Sequence, residues 1–199
     1  MWKGLTIKYM TIQEAYKKIS SSEDLKDVII IGGGNVATDS ARAAIRMNAK
    51  SSTIVYRRNN EKMPARKIEL EEAIKDGVKI IYNTRVISAE IENGIIKRVK
   101  CIKTKTEDDK VEDIPNSEFY INADSIIFAI GLKPDKELIQ NEGLELNEKG
   151  LIKIDENCMT NIEGVFAGGD VSQNKATVCM AIKAGRNAAD KIEKFVTQM

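Results

Sequence analysis

Histidine is absent from the 199 residues of this chain, and its absence excludes several classes of enzyme. Ser-His-Asp hydrolases, Cys-His proteases, HExxH metalloenzymes and Cys/His zinc fingers all require an imidazole. Cysteine is also scarce. Cys101, Cys158 and Cys179 lie far apart and form no CxxC pair for a redox dithiol, a zinc ribbon or an iron–sulfur cluster. The sequence therefore predicts no metal site and a reduced, cytoplasmic protein.

The chain also lacks an excess of charge of either sign. The chain has 31 Lys and Arg against 30 Asp and Glu, a net charge of +1, which gives no global field for nucleic acid or an anionic membrane. Residues 1–18 alternate apolar with polar side chains and contain no unbroken apolar stretch of the length that an export signal or a membrane helix requires. We therefore expect neither a nucleic-acid nor a membrane partner.

The sequence predicts a β-turn-α unit after an N-terminal helix. A helix is predicted at Thr11–Lys18, followed by a polar break over residues 20–24. The run Val28–Ile31 has no polar residue to alternate with, as expected of a strand covered on both faces in a parallel sheet. Small side chains at helical spacing over Asn35–Met47 predict a helix that lies close to that sheet.

Strands and helices continue to alternate in the middle of the chain. The predicted elements are a strand at Thr53–Tyr56, a helix at Ile68–Asp76 with Leu70, Ala73 and Ile74 on one face, and a strand at Val78–Tyr82. Alternating strands at Arg85–Glu92 and Ile95–Lys103 then flank Asn93-Gly94, a strong hairpin signal, and predict a small antiparallel meander. The charged stretch Lys105–Asp113 is expected to be the solvated loop tip of that meander.

The C-terminal third predicts a buried strand at Ser125–Ile130, a polar linker around residues 133–149, strands at Leu151–Asp155 and Val165–Ala167, and a last helix from about Ala176 to Val196. Together these elements predict the α/β class. We expect a Rossmann-like, three-layer nucleotide-binding domain with a parallel sheet and an antiparallel β-meander.

A glycine-rich turn lies between the first predicted strand and helix. Gly32, Gly34 and Ala37 form GxGxxA, in which the first glycine makes the turn, the second admits a pyrophosphate to the backbone and the small third residue allows close packing. The helix start offers free N–H groups to phosphates. Methyltransferases and plain structural turns also show this motif. The candidate dinucleotide-binding residues of the turn are Gly32, Gly33, Gly34, Asn35 and Val36.

The end of the second strand indicates which dinucleotide is bound. An NAD site would place Asp or Glu there for the ribose hydroxyls, whereas this sequence has Arg57 and Arg58. A guanidinium binds two phosphate oxygens at once and stays charged, so these residues are candidates for the 2′-phosphate of NADP(H), with Arg66 as a third. The arginine pair argues against a methyltransferase. The alternative is a merely solvated arginine pair.

The chain resembles the NADPH-binding and C-terminal parts of the glutamate synthase small (beta) chain family of two-dinucleotide flavoprotein oxidoreductases. Relatives of that family include the flavin subunit of electron-bifurcating ferredoxin:NADP oxidoreductases and the N-terminal half of dihydropyrimidine dehydrogenase. The resemblance covers about residues 25–197 and is carried by VIIIGGGNVATDSARAAIRM, TIVYRRNNEKMPARKIELEEAIKDGVKI, SIIFAIGLKPD, TNIEGVFAGGDV and ATVCMAIKAGRNAA.

The resemblance implies roles for five further residues. Ile130 and Gly131 belong to the turn that closes the nicotinamide domain, Gly169 and Asp170 would meet the ribityl and pyrophosphate region of FAD, and Thr177 would start a helix that faces the flavin. The implied parent activity is oxidation of NADPH, with hydride passing to FAD and electrons moving on to a partner subunit. We assign no catalytic acid or base, because this hydride transfer needs alignment and stacking more than a proton donor.

One departure from the family limits what the chain is expected to do. Family members begin with another GxGxxG unit that holds the ADP half of FAD, and residues 1–24 are too short for one. We therefore expect a part separated from a larger flavoenzyme, with a helical linker segment at 1–24, an NADP(H)-binding domain at 25–131 and a C-terminal remnant of the FAD domain at 132–199. FAD belongs to the intact parent and is not expected to be retained.

The departure also predicts partners. They are the missing FAD domain or a partner subunit similar to the glutamate synthase large chain, and a homodimer is expected where apolar faces of Gly164–Ala167 and the final helix lack their original partner. A non-catalytic NADP(H)-binding or assembly module, and a fragment of a bifurcating flavin subunit, are the alternatives. A thioredoxin-reductase-like enzyme is disfavoured by the missing CxxC. Met47, Met63, Met159 and Met180 are expected to fill the core, and Cys158 and Cys179 to be buried, inert thiols.

Overall fold

The computed structural model describes residues 26–108, 110–131, 134–173 and 177–198. The chain separates into two compact units, with the division after Ile130. The helix predicted at Thr11–Lys18 and the polar break at residues 20–24 lie outside the described residues.

The first unit contains a four-stranded parallel sheet and two helices. The strands of this sheet are β1 (Asp27–Gly32), β2 (Ser51–Val55), β3 (Lys79–Ile81) and β8 (Ser125–Ala129), and the helices are α1 (Asn35–Arg46) and α2 (Lys67–Lys75). The sheet order is β3-β2-β1-β8, and every pairing in it is parallel. The structure confirms these six predicted elements with small shifts at their ends.

Both faces of the parallel sheet are covered, which explains the uninterrupted apolar run in β1. Val28 and Ile30 pack with α1 in one core, whereas Ile29 packs in a second core on the opposite face of the sheet. Side chains of a strand alternate between faces, so a strand buried on both sides has no place for a polar residue. Ala37 on α1 is fully buried and lets the helix approach the sheet closely.

The second core lies between the parallel sheet and an antiparallel sheet, and this makes the unit three-layered. The strands of the antiparallel sheet are β4 (Thr84–Glu92), β5 (Ile95–Glu107), β6 (Lys110–Asp113) and β7 (Phe119–Asn122). β5 pairs with β4, β6 and β7. The predicted Asn93-Gly94 hairpin turn is confirmed, and both residues have the positive φ that this turn requires, 51° and 77°.

The charged stretch at 105–113 is largely exposed, as predicted, but it forms paired strands, so its assignment as a loop tip was wrong. β5 continues through it to Glu107, and β6 returns antiparallel, with Lys105 opposite Glu112. The Lys105 ammonium lies 2.9 Å from a Glu107 carboxylate oxygen and 3.3 Å from a Glu112 carboxylate oxygen. Lys105 and Glu112 therefore pair across a β-hairpin, which the charge composition of this stretch does not predict.

The second unit contains two helices, α3 (Lys136–Asn141) and α4 (Val178–Thr197). The last helix is confirmed, whereas α3 occurs where a polar linker was predicted. The strands predicted at 151–155 and 165–167 were wrong, because this part of the chain makes only isolated bridges, Leu146 with Ile152 and Met159 with Phe166. The Asp155 carboxylate accepts from the backbone N–H of Asn157 and of Met159, both at 2.8 Å, and curls the segment into a turn instead.

Burial confirms some of the predicted core residues and corrects two. Ala73 is buried, but Ile74 is 57% exposed, because consecutive residues of a helix lie about 100° apart and α2, which packs against α1, places Ala73 in the first core. Cys158 is buried as predicted, whereas Cys179 is exposed in the first turn of α4. Met63 is buried, and the other three methionines named above are half-buried. Within the described residues, no helix is both long and apolar enough to cross a membrane.

Candidate functional site

The first glycine of the turn is required by the neighbouring strand. Gly32 ends β1 opposite Ala129 of β8, and its φ is 152°. A Cβ added at Gly32 would lie 2.8 Å from the Ala129 carbonyl carbon and closer still to its oxygen, a distance that real Cβ atoms do not adopt. The sequence predicted that this glycine makes the turn. The structure adds that only a residue without a side chain lets β1 and β8 approach each other here.

The second glycine is required by an aromatic ring. A Cβ on Gly33 would lie 2.5 Å from two ring carbons of Tyr56, the residue that follows β2. The Tyr56 hydroxyl donates to the Lys62 carbonyl at 2.6 Å, and the Ala65 N–H donates to the Gly33 carbonyl at 3.0 Å. The segment 57–65 therefore leaves the end of β2 and returns to the glycine turn.

The third glycine faces open space. Gly34 is the N-cap of α1, with φ −90° and ψ −179°, and a Cβ added there would meet no heavy atom within 4 Å. The first turn of α1 carries no acidic side chain, so nothing in that turn neutralises the positive end of the helix dipole. Open space in front of helical N–H groups suits a pyrophosphate. Val36 is 40% exposed on that turn.

The chain topology places this turn at the position where parallel sheets bind ligands. α1 leads from β1 to β2 on one side, while β8 pairs with β1 on the other. The order of the strands therefore reverses between β1 and β8, and a crevice forms outside their carboxyl ends. Ile130 follows β8 at this edge and is 65% exposed. Gly131, the next residue, has a φ of 82°.

The arginine pair directly follows β2, in what we call the arginine turn, Tyr56–Arg58. Three consecutive carbonyls of this turn each accept a hydrogen bond. The Tyr56 carbonyl accepts from the Thr84 N–H at 3.0 Å, the Arg57 carbonyl from the Thr104 hydroxyl at 2.8 Å and the Arg58 carbonyl from the Asn83 N–H at 3.0 Å. The backbone of the arginine turn is thus fixed, while the Arg57 side chain is exposed and that of Arg58 half-buried.

Arg66 also joins the glycine turn, through its backbone. Its N–H donates to the Asn35 side-chain oxygen at 3.2 Å, which ties the start of α2 to the start of α1. The Arg66 side chain is 75% exposed and lies 3.8 Å from the Glu69 carboxylate. The structure therefore brings the segments that carry Arg57, Arg58 and Arg66 to the same edge of the sheet as the glycines.

The second unit holds the remaining predicted residues near the start of α4. Gly169 has a φ of 83°, and its carbonyl accepts from the backbone N–H of Ser172 at 3.1 Å and of Gln173 at 3.0 Å. A Cβ added at Gly169 would lie 3.9 Å from the Ala181 Cβ, one turn into α4. Thr177 is the N-cap of this helix, and its hydroxyl oxygen accepts from the Met180 N–H at 3.4 Å. Asp170 is exposed.

Two residues that support the site were not predicted from the sequence. Tyr56 directly precedes the arginine pair in the sequence, and its ring lies against Gly33. Thr104 is distant in the sequence and donates a hydrogen bond to the Arg57 carbonyl. A tyrosine at the end of the second strand, beside a triple glycine, was a usable signal. Thr104 is separated from Arg57 by 47 residues, and nothing in the local pattern marks it.

Two further kinds of chemical group occur among the described residues, side chains that can ligate a metal and thiols. The described residues contain no group of three or more Cys, Asp or Glu side chains placed to hold a metal ion. Cys101 is fully buried in the second core, and burial raises the pKa of its thiol to about 11. A thiol of that pKa is protonated and unreactive at neutral pH.

The strand order, the glycine turn and the covered parallel sheet define a Rossmann-type oxidoreductase fold of the kind that binds FAD and NAD(P). The chain belongs to the pyridine nucleotide-disulphide oxidoreductase family, whose model matches residues 3–187. The structure is similar to thioredoxin reductase from T. acidophilum, with a TM-score of 0.69 and 25% identity over 84% of this chain and 52% of that one. The Lactococcus lactis thioredoxin reductase gives a TM-score of 0.69 at 28% identity, over 87% and 54%.

Two curated relatives match most of this chain but only part of their own length. It is 34% identical to the glutamate synthase [NADPH] small chain of Escherichia coli over 86% of this chain and 39% of that protein. It is 33% identical to the NADP(+)-dependent formate dehydrogenase subunit beta of Moorella thermoacetica over 87% of this chain and 25% of that protein. These findings confirm the family resemblance, and the chain spans less than two fifths of either relative.

Proposed function

We propose that this chain is the NADP(H)-binding portion of an FAD-dependent oxidoreductase similar to the glutamate synthase small chain. One observation carries the proposal: the segment that leads from the arginine turn to Arg66 returns to the glycine turn at the switch point of a parallel sheet, where Ala65 and Arg66 are hydrogen-bonded to Gly33 and Asn35. A basic group at the end of β2, where an NAD site has a carboxylate, favours a nucleotide with a 2′-phosphate.

The residues present fit such a nucleotide. Gly34 leaves open space before the first turn of α1, where the N–H groups of Asn35 and Val36 would hold the pyrophosphate. Arg57, Arg58 and, with a smaller contribution, Arg66 would hold the 2′-phosphate. Arg66 contributes less because Glu69 lies 3.8 Å from its guanidinium and competes for it. Gly32 and Gly33 shape the turn rather than bind, since β8 and the Tyr56 ring fill the space that their side chains would need.

The reaction that we propose is transfer of a hydride from NADPH to FAD in the intact flavoenzyme. In that enzyme Ile130 and Gly131 would border the nicotinamide, and Gly169, Asp170 and Thr177 would belong to the FAD site. Thr177 is the N-cap of α4, whose first turn carries no acidic side chain, so the positive end of the helix dipole would face the FAD. Asp170 is exposed and can accept a hydrogen bond from a hydroxyl group. The domain limits 25–131 and 132–199 are part of the same proposal.

The proposal includes electron transfer to a partner subunit. Relatives that match the chain carry subunit names, small chain and subunit beta, and this supports a role within an assembly. A large chain similar to that of glutamate synthase is the partner that we propose. The alternative is a non-catalytic NADP(H)-binding module. Both functions predict NADP(H) binding.

Calorimetric titration of the chain with NADPH and with NADH tests this proposal. We expect NADPH to bind at least about tenfold more tightly, because one charge-assisted hydrogen bond contributes about 1.5–3 kcal/mol before screening by solvent. The purified chain is expected to be colourless and so to hold no FAD, whereas a flavin absorption band near unit occupancy would favour a complete enzyme. Equal affinity for the two nucleotides would contradict the NADP(H) assignment.

A homodimer through α4 is the second expectation. An exposed apolar stripe follows this helix at alternating spacings of four and three residues, and its members are Val178, Ile182, Gly185, Ala189, Ile192 and Val196. That spacing keeps all six on one side of the helix and matches the seam of a two-helix pair, and the small central residues permit close approach. In the intact flavoenzyme the stripe would be covered by the FAD domain. We expect a second copy of the chain to cover it in a homodimer.

Light scattering tests the dimer. We expect a mass twice the 22.1 kDa of one chain, reduced to the single-chain mass by Ile182→Glu, which places a charge in the seam. Lys183→Glu is the matched control. It introduces the same side chain at the next position, outside the stripe, and is expected to leave the dimer intact. A single-chain mass for the unaltered protein at working concentration would refute the dimer.

A further inference from the structure

Thr104 connects the antiparallel sheet to the arginine turn. It lies near the end of β5 and is 3% exposed. Its hydroxyl donates to the Arg57 carbonyl at 2.8 Å, and its backbone N–H donates to the Asn83 carbonyl at 2.8 Å. Thr104 is therefore hydrogen-bonded to the arginine turn through its side chain and, through its backbone, to Asn83, which also supports that turn.

The Arg57 carbonyl differs from its two neighbours in the kind of donor that it uses. The carbonyls of Tyr56 and Arg58 accept from backbone N–H groups, at Thr84 and Asn83. The donor to the Arg57 carbonyl is the Thr104 hydroxyl, a side-chain group that a substitution can remove.

The orientation of this peptide controls where the Arg57 guanidinium lies. A rotation of the backbone at Arg57 moves a long side chain through a large arc, and a bidentate contact with phosphate tolerates little misalignment. The side chain itself is exposed, so packing around it does not restore a lost backbone orientation.

We propose that Thr104 is a positioning residue that sets the selectivity for a 2′-phosphorylated nucleotide by fixing the backbone of Arg57. This inference rests on the proposed function, since it assigns Thr104 to the same nucleotide site. Thr104 touches no part of the nucleotide. It acts through Arg57 and should therefore alter the affinity for the 2′-phosphate and not the affinity for the rest of the ligand.

The test uses two small probes, 2′,5′-ADP and 5′-AMP, which share the adenosine and 5′-phosphate and differ by the 2′-phosphate. Thr104→Val keeps the size of the side chain and removes the hydroxyl. We expect it to weaken 2′,5′-ADP binding about three- to tenfold, the range of one weakened hydrogen bond to a charged group, and to change 5′-AMP binding by less than about twofold. Thr104→Ser keeps the hydroxyl and is expected to restore the preference.

Thr84→Val is the matched control. Thr84 is also buried, and its hydroxyl donates to the Tyr82 carbonyl at 2.9 Å and not to the arginine turn. The substitution keeps the backbone N–H through which Thr84 donates to the Tyr56 carbonyl. Both valine variants are expected to lower the melting temperature, but only Thr104→Val should lower the ratio of the two affinities. If Thr104→Val does not fold, Thr104→Ala removes the same hydroxyl with a smaller side chain and carries the same expectation.

The outcomes separate the inference from the proposed function. If Arg57→Ala abolishes the preference for 2′,5′-ADP while Thr104→Val keeps it, the proposed function stands and the role of Thr104 is overturned. Equal losses in Thr104→Val and Thr84→Val, or no restoration by Thr104→Ser, would also overturn it. If the unaltered chain binds the two probes equally, the proposed function fails, and the inference fails with it.

Discussion

Arg57→Ala is expected to weaken NADPH binding about tenfold and to leave NADH binding within about twofold, because the two nucleotides differ only in the 2′-phosphate. Arg57 is exposed, so solvent screening limits the contribution of its contact to the lower end of the 1.5–3 kcal/mol typical of charge-assisted hydrogen bonds. Arg57→Ala combined with Arg58→Ala is expected to reduce the NADPH affinity about a hundredfold and to remove the preference. Calorimetric titration at two salt concentrations measures both effects.

Two controls accompany this prediction: the salt dependence of the nucleotide preference and the substitution of an arginine that lies away from the site. The preference of the unaltered chain for NADPH should narrow as salt rises, since salt screens exposed charges, and the double variant should have little preference left to lose. Arg46→Ala is the matched control. Arg46 is exposed at the C-terminal end of α1, away from the glycine turn, and pairs with Asp76. A drop in NADPH affinity with Arg46→Ala as large as that with Arg57→Ala would show a general effect of charge rather than a 2′-phosphate site.

Gly32→Ala is expected to destabilise the fold and Gly34→Ala is not, although the two positions lie two residues apart. At Gly32 a new Cβ meets the Ala129 backbone and the φ is 152°, so we expect a loss in unfolding free energy on the order of 3 kcal/mol. At Gly34 the φ is −90° and the space is open, so stability should not fall. Thermal denaturation measures this difference.

The nucleotide affinity of the Gly34 variant completes the test. If a pyrophosphate occupies the open space, Gly34→Ala should fold normally and bind NADPH at least about tenfold more weakly, the effect expected of a displaced, hydrogen-bonded anion. Unchanged NADPH binding in the folded Gly34→Ala variant would place the pyrophosphate elsewhere. An unchanged melting temperature for Gly32→Ala would contradict the close approach of β1 and β8.

The parallel sheet and α1 were predictable from the sequence because their hydrophobic patterns are local and uninterrupted. The apolar run Val28–Ile31 and the small side chains of α1 each have a single reading, a strand covered on both faces and a helix pressed on a sheet. The hairpin at Asn93-Gly94 was predictable for a similar reason, since both residues favour the positive φ that the turn requires.

The errors occur where the structure depends on partners distant in sequence or on side-chain bonds. The extension of β5 to Glu107 comes with pairing to β6, including a cross-strand ion pair between Lys105 and Glu112, which a run of charges does not reveal. The turn at Asp155 replaced a predicted strand because one carboxylate captures two backbone N–H groups. Cys179 is exposed because it lies in the first turn of α4, on a helix that buries only a narrow strip around Ala184 and Ala188.

For the candidate site, the sequence predicted residue types and order, and the structure adds what holds them. Nothing in the pattern of the glycine motif indicates that Gly33 is limited by the Tyr56 ring. Nor does the arginine pair indicate that its backbone is fixed by three donors on two other segments, Asn83-Thr84 and Thr104. The assignment of the site residues to NADP(H) and FAD stays a prediction that the titrations above would decide.

The bond between the Asn35 side chain and the Arg66 N–H, together with that between Ala65 and Gly33, has a consequence for engineering the coenzyme preference. The stretch from Tyr56 to Arg66 is hydrogen-bonded at its C-terminal end to the turn that would receive the pyrophosphate, and at its N-terminal end the Tyr56 ring packs on Gly33 of the same turn. A redesign toward NADH that grafts a foreign loop in its place would also remove these contacts and disturb the turn shared by both coenzymes. Exchange of single arginine side chains on an intact loop is therefore the route that this architecture favours.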